Sequence, residues 1–567
     1  MRTKLIIIIG ICIFPIRSYA TEDLQQLAAE FFAWRSITQP ATSDDINRVE
    51  RPDGWAPDFS KSSIQNSRQR YNNFKNRLFK LHRTNWTRSD SIDFLLMRSA
   101  IERVHWELDV LRLHSRNPDF YVDQTLGALY ELLLIHSPMT ESRARNIITR
   151  LNSFPKTISD AKINLTEPVA VFADIALANC YEPTRRLQEC ADALKPMFPI
   201  NLHVKLDESI VNAATALEDY IVWLNDNKHN MLKKYSVGRE AYEYFLREIA
   251  LIPYTPEKLI FMGNQEWDRS VAFTHYEEMR NSEIPKPKLF ESAEKQREQE
   301  RIDENDIRMF LEEKNIVSVP EWLKHYKNKK IPAHIAPFIN MGVVDDLTSA
   351  SRLDEDAVSY IPEPSPDLSF FWRATAQDPR PIIIHEGVPG HYFHLALSWA
   401  NPNPIRRHFF DSGSIEGIGF YVEELMLQFG LFDDRPHTRE IIYRFMRLRA
   451  LRVDVDINLA LGNYTIDQAG AYLAITVPMD KKTAIDEAGF FASTPGQAIT
   501  YQIGKLQILK FLSDAKISLG DEFNLKHFHN YMMENGNVPI ALQCWEYLGL
   551  TDEIKTLWPA DDKFIIQ

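Results

Sequence analysis

Apolar residues at helical spacing recur along most of this chain, and this pattern restricts the fold more than any other feature. Apolar positions three and four residues apart predict amphipathic helices. They mark TEDLQQLAAEFFAWRS (21–36), SIDFLLMRSAIERVHWELDVLRLH (91–114), DQTLGALYELLLIHS (123–137), TRRLQECADALKPMF (184–198), DESIVNAATALEDYIVWLNDNKHNML (207–232) and GREAYEYFLREIAL (238–251). The charge-dense segment 286–315 is most simply a helix with a solvated face. The chain is therefore predicted to be mainly α.

Glycine content and the absence of linkers favour one large body. The 567 residues include only 20 glycines, about half the average share. A chain of this length normally suggests several domains. No Gly/Ser-rich linker, internal repeat or low-complexity tract divides it, however. We predict a single helical domain over residues 21–567.

The helical pattern stops between about residues 333 and 380. The stretch APFINMGVVDDLTSASRLDEDAVSYIPEPSPDLSFFW lies here, punctuated by Pro and Asp and without helical period. Such punctuation is typical of short strands joined by turns. We predict a small β element in this interval.

The first twenty residues, MRTKLIIIIGICIFPIRSYA, have the pattern of a secretory signal peptide. Basic residues precede an apolar run, and Ser-Tyr-Ala follows it, so cleavage is expected after Ala20. The alternative, a membrane anchor, needs about 20 apolar residues, and this run is shorter. Ile11 in front of Cys12 does not fit a lipid-attachment site. The mature protein is expected to be periplasmic or secreted and not membrane-bound.

The net charge of the chain limits the classes of partner that it is expected to bind. The chain carries 65 basic and 78 acidic residues, a formal net charge of −13, and loss of the three basic residues in the signal peptide would make this −16. Such a charge argues against nucleic acid or anionic lipid as the main partner.

An oxidising compartment permits a disulfide between Cys180 and Cys190. Two unpaired helix cysteines are the alternative.

The stretch IIIHEGVPGHYFHLAL (382–397) contains residues that commonly bind a catalytic metal. A His-Glu pair followed by a second His resembles the H-E-x-x-H zinc motif. Here His391 and His394 follow His385 by six and nine residues, not four. Residues six apart on a straight helix lie about 240° around its axis. A break at Pro389 and Gly390 would bring His391 back beside His385. The spacing alone is weak evidence for a metal.

The same stretch resembles the signature H-E-x-x-P-G-H of a large bacterial family of domain-of-unknown-function proteins related to gluzincin-type zinc metallopeptidases. His385, Glu386, Pro389, Gly390 and His391 occupy the matching positions. Four further blocks resemble the family in the same order, at 236–263, 415–430, 447–469 and 494–511. The resemblance implies a large multi-helix metallopeptidase-like fold, with the β element beside an active-site cleft.

The resemblance also implies roles for individual residues. His385, His391 and Glu416 would bind one zinc ion, because catalytic zinc commonly takes two His and a Glu. Glu416 lies on a separate helix that Ser414 is expected to cap. Glu386 would be the general base that accepts a proton from the zinc-bound water.

Three other residues have more than one interpretation. Glu423, two turns after Glu416, either orients a ligand, binds substrate or, like Glu424, is ordinary surface charge. Tyr501 either stabilises a developing oxyanion or is a buried aromatic. His394 is interpreted as a helix-face histidine and not as a ligand.

The chain departs from the family at outer positions. Ala460 stands where the family tends to have His, Ile418 where it has Trp, and Phe490 and Phe491 where it has Arg-Tyr. The proposed ligands and base are intact. These differences indicate altered substrate preference first and lost activity second.

Together these features predict an exported zinc-dependent metallopeptidase that hydrolyses short peptides. Dipeptidase, carboxypeptidase and oligopeptidase activities are all compatible with the pattern. One alternative is a degenerate member that only binds peptides, which the loss of the family His at Ala460 favours. Another is a non-haem iron enzyme with the same His/His/Glu set; the His-Glu adjacency favours hydrolysis.

Overall fold

The computed structural model describes residues 19–42, 49–477 and 479–558, with the backbone alone for residues 19–23. Residues 1–18, most of the predicted signal peptide, lie outside the described residues, so its cleavage after Ala20 stays a prediction. Thirteen α-helices precede the sheet: α1 Tyr19–Thr38, α2 Lys61–Phe79, α3 Arg88–His105, α4 Leu113–Arg116, α5 Pro118–Val122, α6 Ala128–Leu134, α7 Glu141–Asn164, α8 Ala170–Asn179, α9 Pro183–Leu194, α10 His203–Asn227, α11 Arg239–Tyr244, α12 Pro256–Arg280 and α13 Ala293–Glu313.

The second part of the chain is again helical. Its α-helices are α14 Phe370–Thr375, α15 Arg380–Ile382, α16 His391–Ala400, α17 Pro404–His408, α18 Ser412–Gln428, α19 His437–Leu461, α20 Ile466–Thr476, α21 Lys481–Ser493, α22 Thr500–Leu519, α23 Leu525–Glu534, α24 Ile540–Leu548 and α25 Asp552–Leu557. Four π-helical turns extend or interrupt helices, at Trp106–Leu111, Asp123–Gly127, Phe245–Ile249 and Ile383–Gly387. Short 3₁₀ turns span Lys195–Met197, Ile200–Leu202, Lys228–Asn230, Ala336–Met341 and Gly520–Glu522.

A three-stranded sheet lies between the two helical parts of the sequence. It contains β1 Tyr326–Lys330, β2 Asp345–Asp346 and β3 Ala357–Ile361, in the order β1-β3-β2. β1 pairs with β3 in parallel, and β2 pairs with β3 antiparallel. The prediction of a mainly α fold with a small β element is confirmed. The sheet begins a few residues before the interval where the sequence pattern changes.

Helix α13 has the solvated face that its charge-dense sequence suggested, with Glu294, Glu298 and Arg301 exposed. Its other face packs against β1. Three of its carboxylate residues, Glu300, Asp303 and Glu304, are buried. Each accepts a hydrogen bond from a neighbouring side chain: Gln296 donates to Glu300, Arg435 to Asp303 and Arg308 to Glu304.

Two long helices of the second part, α18 and α22, cross at very short range. An added Cβ on Gly417 would lie 2.7 Å from the Cα of Gly504. Glycine at both positions therefore lets the two backbones touch. Helix α12 packs along α19 in the same region. This close packing fixes α18, which carries two of the carboxylates of the candidate site, relative to α19 and α22.

The two cysteines that the sequence offered for a disulfide are not bonded to each other. Cys180 and Cys190 are buried and unpaired, so the structure agrees with the unpaired alternative and not with a disulfide. Burial raises the pKa of each thiol to about 12.

Within the described ranges, no helix combines the length and the apolar character needed to cross a membrane.

Candidate metal centre

The helix that carries the His-Glu pair is broken where the sequence predicted it. A π-helical turn, Ile383–Gly387, contains the pair and ends in Val388, which is extended (φ −123°, ψ 122°). The Val388–Pro389 peptide bond is cis. Gly390 then precedes helix α16, which begins at His391. Because the chain leaves the helix and re-enters it, the two histidines are not bound to the spacing of a straight helix, and their ring centroids lie 4.6 Å apart.

Helix α18 supplies Glu416 from a separate part of the chain. The helix begins at Ser412, and the side chain of Asp411 accepts a hydrogen bond from the backbone N–H of Ser414 at 2.8 Å. The expectation that Ser414 caps this helix is wrong; Asp411 is the cap, and Ser414 lies in the first turn. A carboxylate is a strong N-cap because it accepts from an otherwise unpaired backbone donor.

His385, His391 and Glu416 converge on one point. Their ligating atoms all lie within 4.8 Å of one another, and all three residues are buried. Glu416 Oε2 lies 3.6 Å from His385 Nε2 and 3.3 Å from His391 Nε2. Two ligands of a tetrahedral ion with bonds of about 2.0–2.1 Å are separated by roughly 3.3–3.4 Å. The spacing therefore fits a small divalent metal ion.

The lack of hydrogen bonds at two of these ligating atoms also fits a metal ion. Among the described residues, His391 Nε2 and Glu416 Oε2 are buried and make no hydrogen bond. A buried polar atom without a partner costs free energy, and such an atom calls for an explanation, for example an ion. A set of two imidazoles and one carboxylate is typical of zinc and of non-haem iron. The residues present thus fit a metal.

The electrostatics of the site also favour a bound cation. Burial by itself would lower the pKa of His385, but the carboxylates of Glu416 and Glu423 outweigh it and raise the pKa to about 9. Burial by itself would raise the pKa of Glu416, but the neighbouring His391 and His385 hold it well below its usual range. The negative charge that stabilises a proton here would equally stabilise a metal ion.

Gly419 makes room for both imidazole rings. It lies on α18, one turn after Glu416. A Cβ at this position would come within 2.8 Å of His391 Cε1 and 3.0 Å of His385 Cε1. Carbon atoms in ordinary contact are about 3.5–4.0 Å apart, so no larger residue fits here without moving a ring.

Glu423 and Arg449 lie behind the ligand His385. Glu423 Oε1 is 2.7 Å from His385 Nδ1 and 3.0 Å from the guanidinium of Arg449. Glu423 is fully buried and Glu424 is 8% exposed, so the surface-charge interpretation of both is wrong. Glu424 pairs instead with Arg269 and Lys505. A carboxylate on the far nitrogen of a ligating histidine fixes the ring and its tautomer.

Glu386 faces the cavity beside the three candidate ligands. Its Oε2 lies 4.0 Å from His391 Nε2, and its side chain is 21% exposed, against 4% or less for the three candidate ligands. It also lines the large cavity next to the site. Glu386 is therefore more accessible to water and substrate than the three candidate ligands, of which His385 also lines the cavity.

Tyr501 lies on the wall of the same cavity, near the start of α22. Its ring is parallel to that of His385, with the centroids 6.3 Å apart and an interplanar angle of 10°. The guanidinium carbon of Arg452 lies 4.7 Å from the centroid of the tyrosine ring. Tyr501 is partly buried, so it combines both properties that the sequence left open, a packed ring and a place beside the site.

His394 lies apart from this group. It is fully buried on α16, and its Nε2 is 3.4 Å from the carbonyl oxygen of Gly536. Burial lowers the pKa of His394 to about 4, which keeps the ring neutral. The structure thus places His391, and not His394, with His385 and Glu416.

A cavity of about 1690 Å³ opens beside the candidate ligands. Binding pockets for small molecules usually measure about 300–1,000 Å³, so this space holds a longer ligand. Helices α5, α8 and α19–α22 supply its walls together with the sheet, through Asn328, Asp345 and Ser359. The sheet accordingly lies beside the cleft.

The positions that depart from the resembled family are mostly away from this cavity. Ile418 and Ala460 are buried in apolar surroundings, and neither lines it. Phe490 does line the cavity. Phe491 is buried, with its ring centroid 5.5 Å from the guanidinium carbon of Arg452. Of the four departures, Phe490 is the one placed to contact a ligand.

Sequence reasoning missed Gly419, Arg449 and Arg452. Arg452 forms an ion pair with Glu487 at 2.8 Å, and both arginines line the cavity. One signal was present: Arg449 and Arg452 are three residues apart on a strongly helical segment and so share a face. The segment contains several other arginines, and nothing local distinguishes the two that face the cavity.

Comparison with known proteins identifies the family. A family profile described as "Bacterial protein of unknown function (DUF885)" matches residues 41–542. The chain belongs to this family. Curated proteins give no significant match.

Two solved structures share the fold. One is a presumed lipoprotein of unknown function from Shewanella oneidensis, with a TM-score of 0.68 and 18% identity; the alignment covers 93% of this chain and 98% of the other. The second is a presumed lipoprotein from Colwellia psychrerythraea, with a TM-score of 0.70 and 15% identity over 93% of this chain and 97% of the other. At these identities the similarity is one of fold.

Proposed function

We propose that this protein is a zinc-dependent metallopeptidase that hydrolyses short peptides. The observation that carries the proposal is the convergence of His385, His391 and Glu416, with Glu386 exposed to a large cavity at the same point. When bound, zinc would polarise the scissile carbonyl and lower the pKa of a water molecule.

The role of Glu386 follows from its position. It is adjacent in sequence to His385 but is not one of the three converging residues, so its carboxylate remains available as a base. Glu386 would take a proton from the attacking water and deliver it to the leaving amine. Tyr501, which lines the same cavity, would donate its phenolic hydrogen to the developing oxyanion.

The shape of the site and the comparisons suggest the substrate and the compartment. His385 and Glu386 lie at the wall of a large cavity, which admits a short peptide chain more readily than a folded protein. The two structural neighbours are presumed lipoproteins, and this chain begins with a signal-peptide pattern. We therefore propose that the enzyme is exported and acts on peptides outside the cytoplasm.

Metal analysis tests the metal and its identity. Protein purified without chelator should contain one zinc per chain. Stoichiometric iron would instead support the non-haem iron enzyme, and protein that neither carries nor binds a metal would contradict the proposal. His385→Ala should lose the metal, whereas His229→Ala, at an exposed position, should keep it.

A peptide library tests the reaction and the base. Glu386→Gln keeps the shape of the side chain and removes the proton acceptor, so it should retain zinc but lose roughly 10²–10⁴-fold in turnover. Glu298→Gln, on the exposed face of α13, should be fully active. Near wild-type turnover in Glu386→Gln would exclude the mechanism, and zinc loss in that variant would make Glu386 a ligand.

A further inference from the structure

Arg449 lines the cavity with an incomplete set of partners. It is 3% exposed, and its guanidinium contacts Glu423 at 3.0 Å. Its Nε and Nη1 atoms are buried and make no hydrogen bond within the described part of the chain. A guanidinium has five N–H donors and no acceptor, so most of its hydrogen-bonding capacity is unused.

Aromatic rings surround this guanidinium. Its central carbon lies 5.1 Å from the ring centroid of Phe420, 5.3 Å from that of Phe445 and 5.6 Å from that of Tyr501. Such contacts hold the side chain in place and keep bulk water away from it. A fixed and desolvated cation binds an anionic group more strongly than one on the surface.

The neighbouring arginine is different. Arg452 makes three hydrogen bonds of 2.8–3.0 Å to the carboxylate of Glu487, so its charge is matched by a dedicated partner. The carboxylate beside Arg449, in contrast, is shared: Glu423 also contacts His385. Of the two arginines that line the cavity, Arg449 is the one with unused hydrogen-bond donors.

We propose that Arg449 binds the free C-terminal carboxylate of the substrate peptide. This inference rests on the proposed peptidase function and deepens it, because it makes the protein a carboxypeptidase. Arg449 contacts Glu423, and Glu423 in turn contacts the candidate ligand His385. An anion bound by Arg449 would therefore lie close to the candidate metal ligands. A terminal carboxylate is about one residue away from the last peptide bond, and that bond is then the one presented to Glu386.

Binding of matched peptides tests the inference without any need for turnover. N-acetylated tetrapeptides, as free acids and as C-terminal amides, are dialysed together against zinc-loaded Glu386→Gln protein and quantified by mass spectrometry. Hydrogen bonds to charged groups contribute enough that the acids should be retained roughly 10- to 100-fold better than the amides. Equal retention of both forms, or retention of neither, would overturn the proposal.

Variants then assign the preference to Arg449. In the Glu386→Gln background, Arg449→Gln should reduce the retention of the acids to that of the amides, and Arg449→Lys should give an intermediate preference because a point charge remains. Arg444→Gln, on the same helix but paired with Glu278 and Glu440 outside the cavity, should keep the full preference. The acid–amide comparison does not depend on Arg449 variants that fold poorly.

Cleavage by the unmodified protein separates the two proposals. Release of single C-terminal residues from the acids but not from the amides supports both. Cleavage of acids and amides at equal rates leaves the peptidase standing and excludes the carboxylate site. Preferential binding of the acids with no cleavage of any peptide leaves the carboxylate site standing and excludes the peptidase.

Discussion

Replacing Gly419 with alanine should weaken metal binding while leaving the protein folded. The added Cβ would lie 2.8 Å from His391 Cε1 and 3.0 Å from His385 Cε1. Relief to an ordinary carbon–carbon contact of about 3.5–4.0 Å requires the rings to move by roughly 0.5–1 Å. Metal–ligand distances tolerate only about 0.2 Å, so both histidines would leave their ligating positions.

The effect on stability should be small by comparison. Alanine is favoured over glycine inside a helix by about 0.5–1 kcal/mol, and overpacking costs about 1–3 kcal/mol. The net destabilisation is therefore about 0–2.5 kcal/mol. Displacing the ligands should lower metal affinity by about 10- to 100-fold, the range seen when the support of a ligand is removed.

Competition with a chromogenic chelator for zinc measures this effect, and thermal unfolding of the metal-free protein measures the stability. Gly127→Ala is the matched control, since a Cβ there meets its nearest atoms, both of Asp123, at 3.6 Å. It should bind zinc like the unmodified protein. Gly419→Ala protein that is folded and competes for zinc with unchanged affinity would refute the placement of the metal between these two rings.

Three further outcomes are expected. Glu423→Gln should lower zinc affinity about 10- to 100-fold in the same competition assay, because it removes the carboxylate that fixes His385; unchanged affinity would contradict that role. Burial raises the pKa of Asp346, but hydrogen bonds from His136 and Arg352 outweigh it and hold the pKa well below its usual range. The stability from this group is therefore present above pH ~4, its unfolded value, and is lost as pH falls towards the folded pKa. Urea unfolding should show Asp346→Asn less stable than wild type at pH 7, with the gap narrowing below pH ~4; a constant gap would be the contrary result. Cys180 and Cys190 should react with iodoacetamide without reductant, and only after unfolding, as mass spectrometry would show; a requirement for reductant would indicate a disulfide.

Local patterns in the sequence determined the fold class and part of the site. The 3.6-residue period of apolar positions reports directly on helices, because it depends only on neighbours along the chain. Likewise, the break between His385 and His391 follows from Pro389 and Gly390 themselves. These features were correctly predicted because no distant residue is needed to produce them.

Capping and burial were harder to predict. Asp411 and Ser414 are both suitable caps, and only the helix start at Ser412 decides between them. Glu300 and Glu423 have the sequence appearance of surface charge. They are buried because β1 covers the first, whereas Arg449 on α19 pairs with the second. Such burial depends on partners far away in the chain.

The arrangement of the site itself was decided by tertiary structure. The contact of α18 with α22 at Gly417 and Gly504, together with α19, sets where Glu416, Gly419 and Arg449 lie relative to the histidines. A linear pattern can nominate such residues by type and by resemblance. Their convergence requires helices from separate parts of the chain to pack at fixed distances, and those distances arise from the close packing of the whole interior.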